Sequence, residues 1–340
     1  MSIITEMSET ILREKFDALT IPAFCTWELT NVCNFHCTHC FNRVDARCTL
    51  PFEDIKTIAE KLKRAGVVNI ALTGGEPLTR KDIIPIINYL SELGFSLQVF
   101  TNASLITEEF LSAVKNSNIS RYEISVYGAT PETYEKITKN KKAYDMVCRG
   151  LTLLKKQAVP YYAKAMAMKS NYFELEKMYE FAKDYGCLVN GNTAQEFANP
   201  RIFAQTHNQR AERLSDEELY NFYMNVNELH GRGGMHCSAG MSEIGIKANG
   251  IVVPCITWRN CELGSILKED LSVILQSNQT CKVREYDYSR LKCAKCEHLP
   301  YCDPCPMVFS YETGDEYIPA TESCRIACVR HRVQDLRRIE

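Results

Sequence analysis

Along residues 22–196, short runs rich in Val, Ile, Leu, Phe, Tyr and Met alternate with longer stretches whose apolar residues recur at helical spacing. The short runs at 23–29, 67–73, 96–102, 121–127, 160–168 and 187–192 predict strands, most of them ending near Gly, Asn or Ser. Between them, 51–64 reads as a helix, with Pro51 near its first position, Glu53 and Asp54 in its first turn and Gly66 just past its end. The segment 79–93 places Ile83, Ile84, Ile86, Ile87 and Leu90 on a helical repeat that stops at Gly94. A further helix over 172–185 opens with Asn171 and Glu174 in capping-box register and stops at Gly186.

Six successive βα units imply parallel strands joined by right-handed crossovers. They are too few for a closed eight-stranded barrel and suit either an open barrel or a doubly wound sheet, between which periodicity cannot choose. In both, binding groups gather on the loops after the strand C-termini. Residues 201–236 form a polar bridge with one helix near 215–230, and after Cys237 the chain breaks into short segments punctuated by Pro, Gly and Cys. That last hundred residues cannot build a large apolar core alone, so cross-links are expected there. The expected organisation is an extension at 1–21, an α/β core at 22–200, the bridge at 201–236 and a Cys-rich domain at 237–340.

Composition narrows the function. The chain has 340 residues, 45% apolar and 24% charged, and its 40 basic and 42 acidic residues leave a net charge of −2. No global field would draw it to nucleic acid or an anionic membrane. The stretch from Met1 to Thr20 mixes charges with short apolar runs and is not a signal peptide, and no 18 consecutive apolar residues occur. A cytoplasmic protein is expected. Seventeen cysteines stand out, ten of them between Cys237 and Cys328. Without a secretory signal, thiolates gathered to hold metal explain them better than disulfides.

Immediately after the first strand comes Cys33-Asn34-Phe35-His36-Cys37-Thr38-His39-Cys40. Three thiolates this close suit three irons of a 4Fe–4S cluster with one iron left open, or a zinc site closed by His36 or His39. The next strand ends in Thr73-Gly74-Gly75-Glu76-Pro77. Together the two motifs resemble the radical S-adenosylmethionine (SAM) superfamily. The resemblance implies a partial (β/α)6 barrel, a three-cysteine cluster at Cys33, Cys37 and Cys40, and SAM chelating its open iron. It also implies SAM contacts from Gly74, Gly75, Glu76 and Pro77, from Asn102 and Ser125 at the ends of strands three and four, and from Phe35 and His39 beside the cluster. Glu76 is expected to face the SAM amine.

The tail reads Cys237, twelve residues, Gly250, four residues, Cys255, then Cys293-x2-Cys296-x5-Cys302-x2-Cys305 and finally Cys324. By spacing alone, two zinc ribbons would serve equally well. Beside the barrel motifs, the pattern resembles the SPASM extension of radical SAM enzymes, with one link shortened before Cys305. The resemblance implies two auxiliary 4Fe–4S clusters. Cys237, Cys255 and Cys305 would hold one, with Cys261 a possible fourth ligand. Cys293, Cys296, Cys302 and Cys324 would hold the other, Cys328 being the alternative to Cys324. Three clusters in all, a flavodoxin- or ferredoxin-type electron donor, and a peptide or protein substrate undergoing crosslinking, thioether formation, epimerisation or formylglycine formation are implied in turn. A small-molecule substrate, a sugar alcohol or a tetrapyrrole, is the alternative. About 22 residues precede strand one, so a leader-peptide recognition domain is expected on a separate chain, if one serves this enzyme.

Overall fold

The computed structural model describes residues 14–44, 47–231 and 237–339. Its strands are β1 (Phe24–Thr30), β2 (Asn69–Gly74), β3 (Ser96–Thr101), β4 (Ile119–Val126), β5 (Tyr161–Met166), β6 (Ala198–Asn199), β7 (Glu243–Ile246), β8 (Ile251–Val253) and β9 (Gly264–Ser265). They form a single sheet in the order β6-β5-β4-β3-β2-β1-β7-β8-β9. Strands β1 to β6 are parallel and follow chain order without reversal. A doubly wound sheet reverses direction at a switch point. The order found here, wound one way from strand to strand, is that of an open barrel. Beyond β1, β7 adds in parallel and β8 and β9 turn back antiparallel, so the tail extends the barrel sheet.

The first five predicted strands lie within a few residues of the observed ones. The sixth does not. Residues 187–192 contribute only an isolated bridge between Leu188 and Tyr162, and β6 comes later, at Ala198–Asn199. Gly191, at φ 78°, turns the chain out of extended geometry. Helices α1 (Phe52–Arg64), α2 (Ile83–Glu92), α3 (Glu108–Ala113), α4 (Pro131–Thr138), α5 (Ala143–Leu154) and α6 (Leu175–Asp184) fill the crossovers. Helix α1 buries Ile55, Ile58, Ala59 and Leu62, one stripe at helical spacing, and α2 does the same with Ile83, Ile86, Ile87 and Leu90. The expected capping box at Asn171 is absent. Asn171 is fully buried; its Nδ2 donates to the Tyr127 and Met166 carbonyls, and its Oδ1 accepts from the Met168 N–H. It ties the ends of β4 and β5 together.

Alternation along the strands sets which side chains face inward. On β4, Tyr122, Ile124 and Val126 join the core, leaving Arg121, Glu123 and Ser125 on the opposite face. There Glu123 is 4% exposed and pairs with Arg121 at 2.8 Å and with Lys164 of β5 at 3.3 Å. Arg121 also donates to Gln98 of β3 at 3.2 Å. The inner wall is therefore polar and charged where the outer wall is packed with aliphatic residues. No helix of the described residues is long and apolar enough to cross a membrane.

Candidate active site

The loop after β1 carries Cys33, Cys37 and Cys40, with Cys37 buried and the other two half-buried. Two backbone bonds pin it to the C-terminus of α4: the His36 N–H donates to the Thr138 carbonyl at 2.8 Å and the Thr38 N–H to the Ile137 carbonyl at 3.0 Å. Gln209 holds its far end by donating to the Cys40 carbonyl at 2.8 Å. Burial pushes the Cys33 thiol up to about 11 and the Cys37 thiol well above the ordinary range. Cys40 lies close enough to oppose ionisation of both Cys33 and Cys37, and Cys33 that of Cys37. Three soft thiol donors on one short loop, two of them kept from ionising by burial, are what a cationic iron–sulfur core compensates, so the donor set fits such a group. The Tyr127 hydroxyl faces the Cys37 thiol and Ser125, and its ring packs on Phe35 and His39 with centroids 6.4 and 5.7 Å away. Phe35 is 4% exposed and is part of the hydrophobic core. Burial lowers the His39 imidazole to about 4, and its Nδ1 is buried with no hydrogen-bond partner among the described residues.

The Gly-Gly-Glu-Pro turn lies alongside the stem of that loop. The Gly75 N–H donates to the Thr30 carbonyl at 2.7 Å and the Glu76 N–H to the Val32 carbonyl at 2.9 Å. A Cβ on Gly74 would sit 2.0 Å from the Thr30 oxygen, and one on Gly75 2.2 Å from the Val32 oxygen. Both glycines are therefore demanded by close approach of the two loops. Glu76, 1% exposed, accepts from Thr101 Oγ1 at 2.7 Å and the Leu78 N–H at 3.1 Å through Oε1, and from the Asn102 N–H at 2.7 Å through Oε2. Burial still outweighs these bonds and raises its carboxyl to about 7. Pro77, buried, opens the short 3-10 turn that follows. The network continues: Asn102 Nδ2 donates to Asn34 Oδ1 at 3.0 Å, and Asn34 Nδ2 donates to Ser104 Oγ at 2.8 Å. Cluster loop, Gly-Gly turn and β3 end thus share one set of hydrogen bonds. Ser104 and Asn34 carry no sequence signal; only the folded register of β1 to β3 brings them together.

In the tail, β7 and β8 form a hairpin with Gly250 in its turn at φ 80°. The hairpin explains the spacing: it returns Cys255 to Cys237, and the two interact electrostatically. A hollow is lined by Cys237, Cys255 and Cys305 together with Trp258, Tyr286 and Met307. Burial pushes the Cys255 thiol up to about 12. Cys261 is not among the lining residues; it is buried elsewhere and accepts a long hydrogen bond from Gln279. A second, apolar hollow is ringed by Cys293, Cys296, Cys302 and Cys324, with Phe309 and Ala327 between them. Cys328, one turn along helix α7 (Thr321–Arg337), does not line it. Despite the shortened link, Cys302 and Cys305 turn to different hollows. Among the described residues no three His, Cys, Asp or Glu side chains converge as a single-ion site.

Adjoining the Cys237 hollow is a cavity of about 1160 Å³. Its lining mixes Arg201, Phe203, Tyr223, Glu243, Asp303 and Arg330 with those cysteines. The charged inner-wall group of Arg121, Glu123 and Lys164 was not anticipated, although the alternation of β4 carries that signal.

Comparison with known proteins agrees with this geometry. Residues 27–182 match the radical SAM superfamily and residues 237–306 match SPASM, the iron-sulfur cluster-binding domain. The chain is 24% identical over 328 residues to the AdoMet-dependent heme synthase of Methanosarcina barkeri, covering 86% of this chain and 94% of that protein. It is 23% identical over 314 residues to the antilisterial bacteriocin subtilosin biosynthesis protein AlbA of Bacillus subtilis, covering 87% of this chain and 70% of that protein. Its fold matches Streptococcus suis SuiB bound to precursor peptide SuiA, with TM-score 0.66 at 18% identity over 93% of this chain and 79% of that one. With both domains present in order along one polypeptide, the chain is a radical SAM enzyme with a C-terminal SPASM iron–sulfur domain.

Proposed function

We propose that this enzyme modifies a peptide or protein, using three 4Fe–4S clusters held by the three cysteine sets. The observation that carries the substrate class is the cavity of about 1160 Å³ beside the Cys237 hollow. Part of it lies among Cys237, Cys255 and Cys305; the rest is lined by Arg201, Phe203, Tyr223, Asp303 and Arg330, side chains that suit the polar and aromatic groups of a peptide. Similarity to AlbA and to the SuiB–SuiA complex supports the same class. Cys33, Cys37 and Cys40 would hold the SAM-binding cluster. Cys237, Cys255 and Cys305 would hold one auxiliary cluster, and Cys293, Cys296, Cys302 and Cys324 the other. Bound to the cluster at Cys33, Cys37 and Cys40, SAM would supply the radical chemistry that removes a hydrogen atom from a substrate carbon. The chain's own part is to orient the substrate C–H and keep water and other hydrogen donors away. The charged wall of Arg121, Glu123 and Lys164 would orient polar groups of the substrate, and the Glu76–Asn102–Asn34 network would hold the SAM end of the site rigid. Electrons would come from a flavodoxin- or ferredoxin-type donor in the cytoplasm, and the core, bridge and Cys-rich units would divide near residues 200 and 237.

The test is deuterium transfer. Enzyme loaded with iron and sulfide, SAM and reductant is incubated with the short peptide encoded nearest its gene, deuterated at each residue type in turn. Deuterium in 5′-deoxyadenosine and a mass change in the peptide support the reading; neither, beside turnover of a tetrapyrrole, overturns it. The near full-length match to the heme synthase is the specific observation favouring that second reading.

A further inference from the structure

Glu28 lies on β1 in register with Thr73 and is 1% exposed. Arg259, four residues past Cys255, is 4% exposed. The two side chains form a two-pronged buried ion pair, Nη1 with Oε1 and Nη2 with Oε2, the second at 3.1 Å. The Ala248 N–H also donates to Glu28 Oε2, at 3.3 Å. On its other side the Arg259 guanidinium stands 5.9 Å from the ring centroid of Phe41, the residue that follows Cys40. Its backbone N–H donates to the Tyr311 hydroxyl at 2.8 Å, and that hydroxyl donates to the Thr257 carbonyl at 3.1 Å. The Thr257 hydroxyl in turn lies 3.2 Å from the Cys255 sulfur. One line of contacts therefore runs from Cys40 through Phe41, Arg259, Tyr311 and Thr257 to Cys255.

Burying an ion pair costs desolvation that apolar packing would avoid, so stability is a weak reason for this one. Buried charges are little screened, and their field reaches neighbouring groups. We propose that Arg259, held by Glu28, is a positioning residue that sets the reduction potential of the SAM-binding cluster: the SPASM domain delivers a cation to the loop that carries Cys40. The proposal rests on the reading that Cys33, Cys37 and Cys40 hold that cluster. A nearby cation favours the reduced, more negative state, and a nearby carboxylate disfavours it.

The test is an EPR-monitored redox titration of the fully loaded enzyme, following the signal whose shape changes when SAM is added. Arg259→Gln should lower the midpoint potential and Glu28→Gln should raise it, with the double variant between the two. Damage to structure alone would move both single variants the same way, and that result overturns the proposal. Should Arg259→Gln not fold, Arg259→Lys keeps the charge and should hold the wild-type potential while Glu28→Gln raises it; no rise in Glu28→Gln overturns the proposal. A wild-type enzyme with no SAM-sensitive signal sinks the cluster reading and this proposal together, whereas shifts of like sign sink the proposal alone.

Discussion

Glu76 is a buried carboxyl whose three donors come from the 3-10 turn after β2 and from the end of β3. Glu76→Gln keeps the size but offers an N–H₂ where two backbone N–H groups and a hydroxyl need acceptors. Leaving buried donors unmet costs about 1–3 kcal/mol, measurable by urea unfolding. The pH dependence has a definite sign. Because burial raises the Glu76 carboxyl to about 7, the stability linked to its neutral form is complete below the ordinary carboxylate range and is lost as pH rises through about 7. The stability advantage of wild type over Glu76→Gln should therefore shrink between pH 5 and 8; an advantage that grows would contradict the burial argument. The same substitution should weaken SAM binding about 10- to 150-fold, the loss expected for one charge-assisted hydrogen bond, with iron content unchanged. Equal SAM affinity in both proteins would confine Glu76 to bracing the strand ends.

At the scale of elements, the Gly-Gly turn and the cluster stem behave as one piece. Gly75→Ala would drive a Cβ to 2.2 Å from the Val32 oxygen, which is backbone and cannot rotate away. A destabilisation of about 1–3 kcal/mol and loss of iron from the first cluster alone are expected, read by unfolding and iron assay. In the tail, the two hollows separate cysteines that look alike in sequence. Substituting Cys324 should cost one cluster's worth of iron, whereas Cys328→Ser and Cys261→Ser should retain it. Iron loss in Cys328→Ser with retention in Cys324→Ser would reverse the assignment. These elements also show what was legible beforehand. Helices α3, α4 and α5 were not placed individually, whereas strands one to five and helices α1, α2 and α6 follow from apolar periodicity, because each buries one face. The sixth strand did not, because a two-residue strand has no period to read and Gly191 interrupts the stronger-looking run before it. Asn171 was misread because capping depends on where the side chain finds partners, and here the partners are the carbonyls ending β4 and β5.

For the molecule as a whole, Cys33, Cys37 and Cys40 and the Cys293–Cys305 run are visible as short spacings in the sequence, whereas the return of Cys255 to Cys237 depends on the β7–β8 hairpin. The pairing of Glu123 with Lys164 across β4 and β5, the Asn34–Ser104 contact and the Glu28–Arg259 pair depend on strand register and on docking of distant segments, which no local spacing encodes. The sheet joins barrel and tail: β7 pairs with β1, so the Cys-rich tail is built onto the barrel strand that leads into the Cys33–Cys40 loop. The claim on which the rest depends is that these thiols hold three separate 4Fe–4S clusters. Counting iron, sulfide and zinc in anaerobically reconstituted enzyme tests it most directly. About 12 iron and 12 sulfide per chain are expected, and replacing Cys33, Cys37 and Cys40 together should remove about four irons and all SAM cleavage. Tightly held zinc in the tail, or about four irons per wild-type chain, would contradict it.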